Sequence, residues 1–115
     1  MSPFRSIADM EDFEAALTAS EVSPVIVFKH SATCPISHSA RRRLTSFAQE
    51  AAAPPIFELV VQEARPVSNQ VAASYDVRHE SPQVLIFSDR AVIFHASHGT
   101  IRERVLREAL QDLST

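Results

Sequence analysis

The stretch Pro24-Val-Ile-Val-Phe-Lys-His-Ser-Ala-Thr-Cys-Pro-Ile-Ser-His-Ser39 decides how this chain is read. Its apolar run, Val25–Phe28, has the length and β-branched content of a strand. Being apolar on both faces, it is expected to be central, parallel and covered on both sides. A polar link, His30–Thr33, leads to Cys34, the only cysteine among the 115 residues. Pro35 suits the first position of a helix, where its missing N–H costs nothing, which makes Cys34 the cap. That helix is predicted to run to about Ala52, with Ile36, Ala40, Leu44, Phe47 and Ala51 as its buried stripe.

Before this stretch, Ser6–Ser20 reads as a helix with Ser6 and Asp9 as its capping pair and Met10, Phe13 and Leu17 inward. Pro24 separates it from the strand. After the stretch, Pro54-Pro55 ends the second helix. Ile56–Val61 reads as a strand and Pro66–Tyr75 as a helix with Val67, Val71 and Ala72 inward. Gln83–Ser88 and Ala91–Ala96 form a hairpin across Asp89-Arg90, a tight turn without the usual glycine. Gly99, the sole glycine, marks a break before a last helix, Thr100–Leu113, with Ile101, Val105 and Leu110 inward. The order α-β-α-β-α-β-β-α predicts an α/β fold: a single thioredoxin-like domain over residues 1–115. Its central mixed sheet has about four strands flanked by helices, and the leading helix is an N-terminal addition.

Composition narrows the function. Hydrophobic content of 45% with 22% charged residues is ordinary for a globular protein and leaves no room for a disordered chain. The net charge of -3 argues against a nucleic-acid partner, which calls for a basic excess. One cysteine excludes an internal disulfide and a paired-cysteine zinc site. Acidic residues stand in MSPFRSIADMEDFEAAL where a signal peptide needs a basic start, and no apolar run approaches the ~18 residues of a membrane helix. A cytoplasmic, reducing location with no membrane partner is the expectation.

A cysteine capping a helix faces the unpaired N–H groups of Ile36 and Ser37 and the positive end of the helix dipole, both of which favour thiolate over thiol. Ser37, three residues on, is expected to add a hydroxyl hydrogen bond to the sulfur. A lone buried cysteine is the alternative, but a polar link before it and a proline after it are not an apolar face. Because the second thiol of a C-x-x-C site is replaced by Ser37, Cys34 cannot resolve a mixed disulfide internally. It can take over a small thiol from a client and be reset by another thiol molecule or a partner reductase. Glu80-Ser81-Pro82 precedes the third core strand, where a thioredoxin-like fold places a cis proline beside the reactive sulfur. There the backbone of Ser81 can pair with a bound partner.

The blocks Phe28-Lys-His-Ser-Ala-Thr-Cys-Pro-Ile-Ser37, Arg65-Pro-Val-Ser-Asn69, Val77-Arg-His-Glu-Ser-Pro-Gln83 and Ala96-Ser-His98 resemble the monothiol bacilliredoxin family. Its members are thioredoxin-like proteins with a TCPIS site, linked to the small thiol bacillithiol. The resemblance implies a thiol-disulfide oxidoreductase that removes bacillithiol from S-bacillithiolated client proteins, with bacillithiol as co-substrate and no permanently bound cofactor. Cys34 and Ser37 are the candidate catalytic residues, and Thr33, Pro35, His79, Ser81 and Pro82 the candidate binding residues. Bacillithiol carries carboxylates, so a basic rim near Cys34 would suit it, with His38, Arg41, Arg78 and His79 as its candidates. For Arg41–Arg43 a solvated helix face is the better reading, and for Lys29 and His30 a structural role stands equal to support of the thiolate. His95 and His98 lack partners at a metal-site spacing, so no metal is expected.

Two other classes compete. A monothiol-glutaredoxin type of iron-sulfur or metal carrier uses a C-G-F-S site, where Pro35 here replaces the glycine. A non-catalytic, redox-sensing thioredoxin-like binding module would hold its partners without Cys34.

Overall fold

The computed structural model describes residues 2–113, so positions 1, 114 and 115 of the expected 1–115 domain lie outside the described residues. The chain builds β1 (Arg5–Ser6), α1 (Met10–Ser20), β2 (Val25–His30), α2 (Pro35–Phe47), β3 (Ile56–Val60), α3 (Arg65–Tyr75), β4 (Gln83–Ser88), β5 (Ala91–Ser97) and α4 (Glu103–Leu113). The five strands form one mixed sheet in the order β1-β3-β2-β4-β5. β3 runs parallel to β1 and β2, whereas β4 is antiparallel to β2 and β5.

All six residues of β2 are buried, as its apolar run predicts for a central strand. Alternation sends Val25 and Val27 into one core, with Phe13 and Leu17 of α1, Val67 and Val71 of α3 and Leu85 and Phe87 of β4. Ile26 and Phe28 enter the other core, with Ala40, Leu44 and Phe47 of α2, Val84 and Ile86 of β4 and Leu106 of α4. β2 continues two residues beyond Phe28, through Lys29 and His30, and thereby carries two titratable side chains into the interior.

The N-terminal segment departs from expectation. Ser6 belongs to a two-residue edge strand rather than to the first helix. Pairing with β3 lets Phe4 and Ile7 enter opposite cores and bury their apolar side chains. The helix begins instead at Met10, which is 46% exposed rather than inward. Asp9 is the cap: its Oδ1 accepts from Asp12 N at 2.8 Å, and Asp12 Oδ2 accepts from Ala8 N at 2.9 Å.

α2 stops at Phe47, five residues short of the predicted end. The backbone tightens into three-residue turns, Gln49 N to Ser46 O and Glu50 N to Phe47 O, which swing the chain into Pro54-Pro55 and β3. Its buried stripe is Ser37, Ala40, Leu44 and Phe47, so Ile36 (54% exposed) and Ala51 lie outside. The polar Ser37 takes the place expected of Ile36.

The β4–β5 turn works without glycine. Asp89 and Arg90 both hold positive φ, 49° and 68°, at a cost of about 1–2 kcal/mol each. The end of α1 offsets this strain: Ser20 O accepts from Asp89 N at 2.7 Å, and Ser20 Oγ from Arg90 N at 2.9 Å. Gly99 does not have a positive φ; His98 does, at 55°, and its N–H donates to Pro82 O at 3.0 Å. The last helix starts at Glu103 rather than Thr100, and its deepest residue is Leu106, with Val105 and Leu110 only half-buried.

Candidate active site around Cys34

The C-terminal end of β2 carries the site. Cys34 caps α2 in an extended conformation, φ -103° and ψ 118°, with Pro35 behind it. Its N–H donates to Ser31 O at 3.3 Å, its C=O accepts from His38 N at 3.1 Å, and it is partly exposed. The sulfur accepts no capping hydrogen bond, contrary to the expected bonds from Ile36 and Ser37. The expected bond between Ser37 and the sulfur is absent too. Ser37 is fully buried on the inner face of α2, where Ser31 N donates to its Oγ at 2.9 Å and His30 Nδ1 lies at 3.0 Å. That hydroxyl satisfies a buried backbone N–H and a buried ring, which would otherwise stand unpaired.

His30 stacks against Phe28 and meets His38 edge-on, with ring centroids 5.5 and 4.9 Å apart. Burial is the main cause that pulls its titration below the ordinary histidine value. Glu58 opposes this, and His38 and Arg41 add to it. His38 Nε2 lies 2.8 Å from Ala32 O, which ties the first turn of α2 back to the link before Cys34. Gln62, just past β3, completes the tie. Its Oε1 accepts from Ala32 N at 3.1 Å, and its Nε2 donates to Ser31 Oγ at 2.8 Å and Thr33 Oγ1 at 3.3 Å. Sequence reasoning missed Gln62, because it lies 28 positions beyond the cysteine with no motif around it. Thr33 and Pro35 are exposed beside the sulfur's helix start.

The second wall is the loop before β4. The Ser81–Pro82 peptide is cis. Pro82 is buried and Ser81 half-buried. Gln83, the next residue, stands in register with Lys29, so this loop and Cys34 share one end of β2. His79 points inward: its Nδ1 is 3.2 Å from Ser68 Oγ and 3.3 Å from Lys29 Nζ. Arg78 is exposed, and Glu80 lies within 3.9 Å of Arg78 and 3.7 Å of His98.

Lys29 is the feature the sequence least revealed. It is fully buried, donates to Ser68 O at 3.0 Å, and pairs with no carboxylate. Burial lowers its titration from 10.5 to about 8. The arginine run is committed to structure. Arg41 holds Glu58 through two bonds of 2.6 and 3.2 Å and covers Phe4, Arg42 donates to Ser39 Oγ, and Arg43 donates to Ile101 O. Among the described residues no three His, Cys, Asp or Glu side chains are grouped to hold a metal ion, and no helix is long and apolar enough to cross a membrane.

Comparisons with known proteins agree with this geometry. A solved protein described as a proposed oxidoreductase with a thioredoxin fold is 32% identical, each chain covering 91% of the other, with a TM-score of 0.82. Thioredoxin from Fasciola hepatica (18% identity, 95% and 98% coverage, TM-score 0.74) shares the fold. So does thioredoxin from Trypanosoma brucei brucei (15% identity, 99% and 94% coverage, TM-score 0.76). The family model described as "Monothiol bacilliredoxin BrxC" matches residues 5–106. A thioredoxin fold with one half-exposed cysteine at the start of α2 and a serine three residues on thus has its place: the chain belongs to the monothiol bacilliredoxin family and serves thiol redox chemistry.

Proposed function

We propose that this chain removes bacillithiol from S-bacillithiolated proteins, with Cys34 as the sole nucleophile. The Cys34 thiolate attacks the bacillithiol sulfur of the client's mixed disulfide. A new S–S bond forms to Cys34, the old one breaks, and its electron pair leaves on the client sulfur, which is thereby reduced. Cys34 is left S-thiolated, and a second bacillithiol or a partner reductase resets it in a reducing, cytoplasmic compartment. Thr33, Pro35, Ser81 and Pro82 flank the path to the sulfur and form the proposed binding surface, with Ser81 offering its backbone to an extended client.

The observation that carries this reading is Ser37. It fills the place of a resolving thiol, yet it is turned into the core and engaged with His30 and Ser31. The test is release of bacillithiol from a defined S-bacillithiolated client, followed by mass spectrometry. Wild type is expected to regenerate the free client and to carry the bacillithiol adduct on Cys34, and Cys34→Ala to do neither. Wild type that leaves the client modified, where a dithiol thioredoxin-like control strips it, would end the proposal.

A further inference from the structure

Lys29, Ser68 and His79 form a polar cluster beneath the proline loop that the transfer described above leaves unused. The ammonium of Lys29 has donors only, so it approaches His79 Nδ1 at 3.3 Å as a donor to a bare nitrogen. Ser68 Oγ, 3.2 Å away, converges on the same atom. The proton of neutral His79 therefore sits on Nε2. That edge of the ring diverges from Lys29 and Ser68, and no described residue hydrogen-bonds to it. His79 stands two residues before Ser81-Pro82, and Lys29 pairs in register with Gln83 just after it. Gln83 Nε2 donates to Arg78 O at 2.9 Å, which ties the start of β4 to the residue before His79.

We propose that Lys29 and His79 form a proton relay for the thiol that departs from Cys34's target. As the client disulfide breaks, the Nε2 proton of His79 moves to the released client sulfur. A proton of Lys29 Nζ moves to Nδ1, so the imidazole stays neutral and changes tautomer. Lys29, buried from solvent, is left as a neutral amine until Nε2 takes up a proton from solvent and Nδ1 returns its own to Lys29, which restores the starting tautomer. Cys34 ends oxidised in the mixed disulfide and the client sulfur ends as a thiol, so protons and electrons balance. His79 is the group that meets the sulfur, and Lys29 and Ser68 act through it as positioning residues. The relay rests on the de-thiolation reading given above.

The energetics suit the transfer. An ordinary lysine holds its proton about two units more tightly than a thiol of pKa ~8.5. Burial brings Lys29 down to about 8, close to that thiol. The groups that face His79 are Lys29 of β2, Arg65 at the start of α3 and the adjacent Glu80. Burial, Lys29 and Arg65 keep it neutral, and Glu80 alone opposes them.

The test is the pH profile of single-turnover transfer from an S-bacillithiolated peptide, with wild type, Lys29→Met, His79→Asn and Cys34→Ala. Wild type is expected to lose rate as pH rises through about 8, where Lys29 gives up its proton. Lys29→Met and His79→Asn should be slower by roughly 10²-fold, the low end for a positioned acid, and should lack that descending limb. Nitrogen NMR of wild-type His79 should show Nε2 protonated and Nδ1 bare at neutral pH, a readout independent of turnover. If either variant keeps both the rate and the limb while Cys34→Ala is dead, the relay is refuted and the de-thiolation reading stands. A wild-type His79 protonated on Nδ1 refutes the relay as well. Wild type that transfers nothing refutes both.

Discussion

Replacing Lys29 by Met should change how stability depends on pH between neutrality and the alkaline range. A titration displaced from 10.5 to about 8 means that the folded chain disfavours the ammonium by about 3 kcal/mol. The sign follows from which state binds the proton. Below the folded value both states are charged, and the full cost is present. Between about 8 and 10.5 the unfolded chain keeps its proton and the folded chain does not, so stability rises with pH. From about pH 7 to about pH 9.5 the wild type should gain roughly 2 kcal/mol from this source. Lys29→Met gains nothing from it, but leaves Ser68 O and His79 Nδ1 without their donor, a loss of about 1–3 kcal/mol. At neutral pH the two effects oppose each other at similar size, so one measurement there decides nothing. Above neutrality His79 has already lost any second proton, and the donor loss is then constant with pH. Urea unfolding of both proteins at the two pH values isolates the charge as a change in their difference. A difference that stays flat to within about 0.7 kcal/mol, the scale of extrapolation error, would refute an ammonium uncompensated in the core.

Two further substitutions can be checked. Ser37→Cys should lose about 1 kcal/mol of stability through the weaker hydrogen bonds a thiol makes with Ser31 N and His30. It should also form an internal disulfide with Cys34 on mild oxidation, seen as a loss of two hydrogens by mass spectrometry; an unchanged mass would show that position 37 does not stand where a resolving thiol would. Gly99→Ala should be neutral or stabilising by about 0.4–1 kcal/mol in thermal unfolding, because the position has no positive φ and an added Cβ meets nothing within 4 Å. A clear destabilisation would show that the turn after β5 needs glycine after all.

Much of the fold was legible because its strongest signals are local. The apolar run Val25–Phe28, Pro35 after Cys34 and the paired prolines before Ile56 each act within a few residues. The hairpin at Asp89-Arg90 was legible from its spacing, but the reason it survives without glycine was not, since Ser20 lies some seventy positions away. The edge strand Arg5–Ser6 was hidden for the same reason: it exists because β3 offers it a parallel partner and both cores accept a side chain from beside it. At the site, the helix-capping cysteine and the proline loop announced themselves as motifs. The positions of Ser37, Gln62 and Lys29 did not, because each is decided by which buried donor or acceptor lies opposite in three dimensions. Apolarity and helical spacing assigned the inner face to Ile36, four residues before Ala40, although Ser37, three before it, lies on the same side. The need to satisfy Ser31 N and His30 awards it to the serine.

The clasp made by Gln62 has a consequence for the whole reaction cycle. Its three hydrogen bonds hold the 31–33 segment without using the sulfur of Cys34. In a two-cysteine site, closing the ring between the thiols stiffens the loop in the oxidised form and frees it in the reduced one. Here the fastening uses Ala32 N, Ser31 Oγ and Thr33 Oγ1, so an adduct on Cys34 replaces none of the atoms that make it. In the proposed transfer the loop would meet each thiol partner already ordered, so the conformational entropy of ordering it is lost once, on folding, and not again at each encounter.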